Sequence, residues 1–207
     1  MMPVSTWTWR PARERWLAYL WLGLLLDLLF FVTYGGANLF NDSRTEHLQL
    51  FLEWERDLPL IPAFIYPYFS IFVLFFIPPF ALDVAALRCL AKQLAVATLS
   101  AGVLFVLLPT KLGFEPATVE LPPLFNLLST FDLPYNLVPS LHVAYSTLTV
   151  SAVTRISPTW LKLLFWLWLG LMCVSVVLVH QHHLVDVISG FMLALVICNT
   201  MKVHDAC

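Results

Sequence analysis

A cluster of histidines with one aspartate near residue 180 carries the clearest chemical signal in this sequence. The segment reads His180-Gln181-His182-His183-Leu184-Val185-Asp186. If a helix begins here, His182 and Asp186 are four residues apart and share one face. A carboxylate in that position can accept a hydrogen bond from one ring nitrogen, which leaves the other nitrogen free as a nucleophile or base. We therefore predict that His182 and Asp186 form a catalytic pair.

Two other interpretations of this cluster remain open at the level of sequence. The histidines could be interfacial residues that cap a helix, with Asp186 paired structurally. They could also bind a metal ion, since three histidines and one aspartate fall within seven residues. However, the segment lacks the His-x-x-x-His spacing of a helical metal site. We therefore expect neither a metal nor another cofactor.

A second segment, Pro139-Ser140-Leu141-His142, has the composition of a helix start. Proline is common at such starts, and the side chain of Ser140 can cap the free backbone N–H groups. His142 then lies in the first turn, at the positive end of the helix dipole, where anions and phosphate groups bind. The segment predicts an anion site, and a helix cap with an incidental interfacial histidine is the alternative.

Both segments lie next to long apolar blocks. The chain is 60% hydrophobic and only 12% charged, whereas soluble domains carry about 25% charged residues. This composition predicts an all-α membrane protein, a single domain over residues 1–207, with about six transmembrane helices of roughly 20 residues each. The predicted helices cover residues 16–34, 59–82, 87–108, 140–156, 160–180 and 183–202.

The distribution of lysine and arginine predicts the orientation of these helices, since cytoplasmic connections are enriched in basic residues. With a cytoplasmic N-terminus, eight basic residues lie inside and three outside. The inner ones are Arg10, Arg13, Arg15, Arg88, Lys92, Arg155, Lys162 and Lys202, and the outer ones are Arg44, Arg56 and Lys111. Both termini are therefore predicted to be cytoplasmic. The net charge of −2 gives no sign of a nucleic-acid partner.

These crossings bring His142 and His182 to the same outer face, because the fourth helix runs inward and the fifth returns outward. Lys111 follows the third helix on that face, where its ammonium could neutralise phosphate charge. A lysine that merely snorkels from a membrane end is the other interpretation. The sequence predicts one site within residues 109–190, on the periplasmic, extracellular or lumenal side.

Two outer connections and one intramembrane acid stand apart from these motifs. Residues 35–58 mix apolar and acidic residues, which indicates a short amphipathic helix at the membrane interface. Residues 109–139 are rich in proline, and connections of this length are usually functional or disordered. Asp27 lies inside the first predicted helix without an identifiable partner, and we expect it to form a structural hydrogen bond.

The motifs resemble those of the type-2 phosphatidic-acid phosphatase superfamily. Its signatures are a lysine followed by Arg-Pro, then Pro-Ser-Gly-His, then Ser-Arg leading to His-x-x-x-Asp. The second signature is matched by residues 139–142, and the third by Ser175 with His182 and Asp186 at the same spacing. A closer resemblance is to the Pro-Ser-Leu-His branch, which includes inositol-phosphorylceramide synthases and related bacterial membrane phosphatases. The segments 129–136 and 181–183 are similar to that branch.

The chain departs from the superfamily signatures at three places. Lys111 is followed by Glu115-Pro116 where Arg-Pro is expected, Val176 replaces the arginine of the third signature, and Leu141 replaces the glycine of the second. Arginine binds phosphate through a planar, bidentate fork, so the loss of two arginines weakens the phosphate cradle. This favours a specialised member such as a phosphotransferase, or one with reduced activity.

The resemblance implies a mechanism in which His182 attacks phosphorus and forms a phosphohistidine. Asp186 would orient His182, His142 would transfer the proton of the alcohol, and Lys111 and Ser140 would hold the phosphoryl oxygens. The expected activity is that of a lipid phosphatase or phosphotransferase on a lipid phosphate or phospholipid headgroup in the bilayer. The alternative is a membrane protein that keeps the fold without enzymatic function. A transporter or channel is less expected, because the polar groups cluster at one face.

Overall fold

The computed structural model describes residues 7–115, 121–131 and 135–201. Over these residues the protein is helical, with a single parallel bridge between Leu48 and Thr110 in place of strands, so the predicted all-α class is confirmed. The helices are α1 (Arg13–Asp42), α2 (Pro62–Phe75), α3 (Pro78–Ala81), α4 (Val84–Leu107), α5 (Leu124–Phe131), α6 (Leu141–Thr154), α7 (Thr159–Leu178) and α8 (Leu184–Thr200).

Three helices, α1, α4 and α7, are long and apolar enough to cross a membrane, and α2 and α8 are shorter apolar helices. Large apolar side chains cover the outside of the bundle as well as filling its interior. They include Trp21, Leu28 and Phe31 on α1, Leu163 and Leu167 on α7, and Ile188, Met192 and Val196 on α8. Such a continuous exposed apolar surface is suited to lipid and not to water. The protein is therefore a membrane protein.

Helix α6 lies in the centre of the bundle, and nearly all of its side chains are buried. This position explains why the segment contains so many hydroxyl groups. Thr147 donates to the carbonyl oxygen of Val143 at 2.8 Å, and Thr154 donates to that of Val150 at 2.7 Å. These two hydroxyls thus bond to the backbone of their own helix and are buried without an unpaired donor. The buried hydroxyl of Thr149 has no hydrogen-bond partner among the described residues. Because the other helices surround α6, it does not need an apolar surface of its own.

The connections differ from the sequence-based expectations. Helix α1 continues past residue 34 to Asp42 through a π-helical turn at Phe31–Gly35, and the predicted interfacial amphipathic helix within 35–58 is wrong. The rest of that connection contains a short 3₁₀ turn at Glu53–Asp57, in which one glutamate is buried. The connection 109–139 contains helix α5, which the sequence did not indicate, while Pro116, Glu120 and Asp132 lie outside the described residues.

The two ends of the bundle are held by different contacts. At one end, Trp7 donates to Ser157 at 3.1 Å, and Arg15 donates to the carbonyl oxygen of Pro79 at 3.3 Å. At the other end, the connections that follow α1, α4 and α7 meet around the starts of α6 and α8. The candidate site lies at this second end.

Candidate active site

His182 and Asp186 form a close pair at the start of α8. The Nδ1 atom of His182 lies 3.2 Å from Oδ2 of Asp186, and the same carboxylate oxygen accepts the backbone N–H of His183 at 2.8 Å. The side chain of Asp186 is 2% exposed and that of His182 is 12% exposed. With Nδ1–H donating to Asp186, the Nε2 atom of His182 keeps its lone pair for chemistry.

The turn that presents His182 is held by a C-cap with a left-handed residue. Helix α7 ends at Leu178, and His180 adopts φ 58°. The amide of His180 donates to the carbonyl of Val177 at 2.9 Å, and the amides of Gln181 and His182 both donate to that of Val176 at 3.0 Å. This is the Schellman pattern, in which glycine is usual at the left-handed position. The cost of placing histidine there is offset by contacts of its side chain.

His180 makes these contacts with two distant connections. Its Nε2 lies 3.0 Å from the carbonyl oxygen of Leu58, and its ring stacks on Phe114 with a centroid distance of 3.9 Å. Strained backbone of this kind persists only where surrounding contacts determine it. The turn that presents His182 is therefore fixed by residues far away in sequence.

Val176 occupies the position where the third signature has arginine. Its side chain is fully buried and packs with Val143 and Val177. The side chain thus belongs to the apolar core, while the backbone carbonyl supports the turn to His182. Apolar packing fills the place of a phosphate-binding guanidinium.

The start of α6 is in direct contact with the start of α8. The backbone amide of Ser140 donates to the carbonyl oxygen of Asp186 at 3.0 Å. One turn further along α8, a Cβ placed on Gly190 would lie 2.4 Å from the carbonyl oxygen of Ser140. Only glycine permits this close approach of the two helices. The approach brings the first turn of α6 beside the His182–Asp186 pair.

Ser140 itself is fully buried and acts as the N-cap of α6, because its hydroxyl oxygen accepts the amide of Val143 at 3.4 Å. His142 follows in the first turn and stacks on Tyr68 of α2 with a centroid distance of 4.4 Å. Its Nε2 is buried and has no hydrogen-bond partner among the described residues. The rings of His142 and His182 are close enough for the charge of one to act on the other. The structure thus brings Ser140, His142, His182 and Asp186 to one place.

Lys111 lies in the connection after α4, on the same end of the bundle. Its backbone amide donates to the carbonyl oxygen of Leu48 at 3.1 Å, whereas its side chain is exposed. Two residues later, the amide of Gly113 donates to Nε2 of His183 at 3.0 Å. The backbone of this connection is therefore part of the site, but no contact ties the ammonium of Lys111 to His142 or His182 within the described part of the chain.

Several residues of the site were missed by sequence reasoning. His183 is 1% exposed, and its ring lies between Phe51 and Phe114, with centroid distances of 4.6 and 4.3 Å. Burial lowers the pKa of His183, although the nearby carboxylates of Asp186 and Glu55 act in the opposite direction. The repeated histidines near residue 180 were the only signal for His183. Glu55 had no signal, since it lies in a connection that is generally acidic.

Two further expectations concern a metal site and Asp27. Across residues 7–115, 121–131 and 135–201, no group of three or more histidine, cysteine or acidic side chains is arranged to hold a metal ion. Asp27 lies on the exposed side of α1, and its carboxylate is close enough to Tyr19 and Tyr145 to act on their hydroxyl groups. The expected structural hydrogen bond of Asp27 stays a prediction.

Comparison with known proteins connects this geometry with one family. The sequence model described as the PAP2 superfamily matches residues 43–200, about three quarters of the chain. The match begins just after α1 and ends with α8, so it includes every residue of the site described above. No curated protein shows significant sequence similarity to the chain.

Proposed function

Because the chain belongs to the PAP2 superfamily, whose members include phosphatases, we propose that it is a membrane phosphatase or phosphotransferase that acts on a lipid phosphate or a phospholipid headgroup. The observation that carries the proposal is the His182–Asp186 pair at 3.2 Å, set against the first turn of α6. A neutral imidazole oriented by a carboxylate is a competent nucleophile. The neighbouring helix start offers free N–H groups to a phosphate.

In the first step, Nε2 of His182 attacks phosphorus, and the bond from phosphorus to the alcohol oxygen breaks. The leaving oxygen takes a proton from protonated His142, and the phosphorylated His182 ring becomes cationic. Asp186 stabilises that positive charge through Nδ1–H. The anionic phosphate beside His142 favours the protonated form of that ring before the step.

In the second step, a hydroxyl oxygen attacks phosphorus and the bond to Nε2 of His182 breaks. His142 accepts the proton of that hydroxyl and regains its original state, as general acid–base catalysis requires. If the hydroxyl belongs to water, the product is inorganic phosphate and the protein is a phosphatase. If it belongs to a lipid alcohol, the product is a new phospholipid and the protein is a transferase.

Ser140, the first N–H groups of α6 and Lys111 are proposed to hold the phosphoryl oxygens. The buried N-terminus of α6 supplies fixed dipoles, which act strongly where water is excluded. Lys111 lies on a connection that contacts His183 through Gly113, so its flexible side chain can reach toward bound phosphate. We place the site on the non-cytoplasmic face, because most of the basic residues near helix ends lie at the opposite end.

An inactive member of the superfamily is the second candidate function. It is favoured by Val176, whose buried side chain fills the place of an arginine, and by the exposure of Lys111. Both features weaken the binding of phosphate without altering the His182–Asp186 pair.

A turnover assay in detergent or liposomes separates these functions. The purified protein is incubated with phosphatidate, with sphingoid phosphates, and with phosphatidylinositol plus ceramide. Release of inorganic phosphate identifies a phosphatase, and a new phospholipid identifies a transferase. His182→Ala abolishes either product, whereas the matched control His47→Gln, a histidine that bonds the carbonyl oxygen of Asn41 at 3.0 Å, keeps it. A folded wild-type protein without turnover on any donor would establish the inactive alternative.

A further inference from the structure

Glu55 is a buried carboxylate in a connection whose other residues are exposed or half-buried. It lies in the 3₁₀ turn Glu53–Asp57 and is 1% exposed, while the side chain of Glu53 in the same turn is 84% exposed. Arg56, the next residue, pairs with Glu53 and Glu115 and not with Glu55. A buried carboxylate requires compensation by donors or charges. The charge of Glu55 is therefore compensated by other groups and not by an arginine.

The two oxygens of Glu55 bond to backbone amides from two different parts of the chain. Oε1 accepts the amide of Leu52 at 2.9 Å, and Oε2 accepts the amide of Leu184 at 2.7 Å. Leu184 is the first residue of α8. Glu55 therefore lies at the N-terminus of the helix that carries Asp186, where the helix dipole favours a negative charge.

His183 is the second contact of Glu55. Its Nδ1 lies 3.3 Å from Oε2 of Glu55, and its Nε2 accepts the amide of Gly113 at 3.0 Å. Because Nε2 accepts a hydrogen bond, the proton of the neutral ring is on Nδ1. This atom lies close to Oε2 of Glu55 without forming a hydrogen bond to any described residue. The ring is held between Phe51 and Phe114. His183 thus joins the connections after α1 and α4 to the start of α8.

This arrangement forms a second histidine–carboxylate pair directly beside the first. The amides of His183 and Leu184 are consecutive, and Asp186 accepts the former while Glu55 accepts the latter. The carboxylate that orients His182 and the carboxylate of Glu55 are therefore bound to the same short stretch of backbone. Displacement of Leu184 would displace both Asp186 and His182.

We propose that Glu55 is a positioning residue for the reaction, which fixes the His182–Asp186 pair through the amide of Leu184 and the ring of His183. The proposal rests on the proposed function, since it assigns Glu55 a role in the same phosphoryl transfer. Glu55 does not touch the phosphoryl group. It holds the backbone from which the nucleophile and its carboxylate extend.

The test replaces Glu55 by glutamine in the full-length protein. Glu55→Gln keeps the length of the side chain but converts one acceptor oxygen into an NH₂ donor, so either Leu52 or Leu184 loses its acceptor. Glu53→Gln removes the same charge from the exposed side of the same turn and is the matched control. Both variants are assayed with phosphatidate in mixed micelles, or with the member of the lipid panel that the wild type turns over.

The expected result is a loss in kcat of about 10- to 100-fold for Glu55→Gln, with KM changed less than about threefold, as for supporting groups behind reacting residues. Glu53→Gln keeps the wild-type kcat. Amide hydrogen exchange in the peptide around residues 180–187 becomes faster in Glu55→Gln only. A wild-type kcat in Glu55→Gln would overturn the proposal.

A purely structural role predicts a different pattern, which a second control detects. Gln93 is a buried polar residue that bonds the carbonyl oxygen of Met201, outside the site. If Gln93→Leu lowers the melting temperature as much as Glu55→Gln and loses the same kcat, Glu55 only stabilises the fold and the proposal is wrong. Should Glu55→Gln not fold, Glu55→Asp is assayed instead, and wild-type kcat in that variant would overturn the proposal. If the wild type itself shows no turnover, the proposed function is wrong. Loss of the proposed role of Glu55 is different, because it is judged from the variants of a wild type that does turn over.

Discussion

The contact between Gly190 and Ser140 allows a sharp test of how the two halves of the site are held together. A Cβ at position 190 would lie 2.4 Å from the carbonyl oxygen of Ser140, and 3.2 and 3.3 Å from its carbonyl carbon and amide nitrogen. Carbon and oxygen atoms approach to about 3.3 Å at their closest in ordinary contacts. Gly190→Ala therefore forces α6 and α8 apart by about 1 Å. The position of a Cβ is fixed by the backbone of α8, and the atoms that it meets are backbone atoms of Ser140, so no side-chain rotation relieves the contact.

The same displacement lengthens the hydrogen bond from the amide of Ser140 to the carbonyl of Asp186, which is 3.0 Å in the protein. Overpacking of this kind costs about 1–3 kcal/mol. Replacement of glycine by alanine within a helix contributes about 1 kcal/mol in the opposite direction. The net loss in the free energy of unfolding is thus about 0–2 kcal/mol. A shift of about 1 Å between reacting groups can cost about 100-fold in rate, so we expect turnover to fall far more than stability.

The measurements are kcat on the active lipid substrate and the melting temperature in detergent. Gly170→Ala is the matched control, because a Cβ at that position of α7 meets nothing within 4 Å. Gly170→Ala keeps the wild-type turnover and is neutral or slightly stabilising. If Gly190→Ala keeps turnover within about threefold of the wild type, the contact between α6 and α8 does not set the site, and the reasoning is refuted.

Three further outcomes are expected. Burial lowers the pKa of His183 in the folded protein. In the unfolded chain the same imidazole takes up a proton near its ordinary pKa of about 6.5, so protonation favours unfolding. Stability should therefore fall as the pH falls below about 6.5. If the melting temperature drops between pH 7.5 and 5.5 by the same amount in His183→Gln as in the wild type, this prediction is contradicted. Gly102→Ala places a Cβ 2.2 Å from Cγ2 of Thr33 and should lower the free energy of unfolding by about 1–3 kcal/mol, measured by chemical denaturation. Thr33→Ser, which removes Cγ2, should recover most of that loss in the double variant. If it recovers none, another contact is responsible. Lys111→Ala should lower kcat/KM at least about tenfold, whereas Lys162→Ala should not, and equal values for the two variants would remove Lys111 from the site.

The local part of the site could be predicted from the sequence. The spacing of four between His182 and Asp186 places both on one face of a helix, whatever surrounds that helix. The N-cap role of Ser140 is equally local, because a cap depends on its own residue and the next three. The apolar blocks similarly indicated where the helices lie, since burial in lipid demands apolar residues of a certain length.

The long-range part of the site could not be predicted in this way. Glu55 bonds to Leu184, which is 129 residues away, and nothing in the acidic connection distinguishes Glu55 from Glu53. The left-handed conformation of His180 was also unexpected, because non-glycine residues rarely adopt it, and here it depends on contacts with Leu58 and Phe114. The predicted amphipathic helix failed for the same reason, since the turn at Glu53–Asp57 is shaped by its contact with α8.

The measurement that tests the central claim most directly is the identification of a phosphorylated residue after turnover. Wild-type protein is mixed with its phosphoryl donor and quenched in alkali, in which phosphohistidine is preserved. The peptides are then mapped by mass spectrometry, with His182→Ala and His47→Gln treated in parallel. We predict phosphate on His182 in the wild type and in His47→Gln, and none in His182→Ala. Turnover without phosphate on His182, or a phosphoenzyme that persists in His182→Ala, would contradict the account.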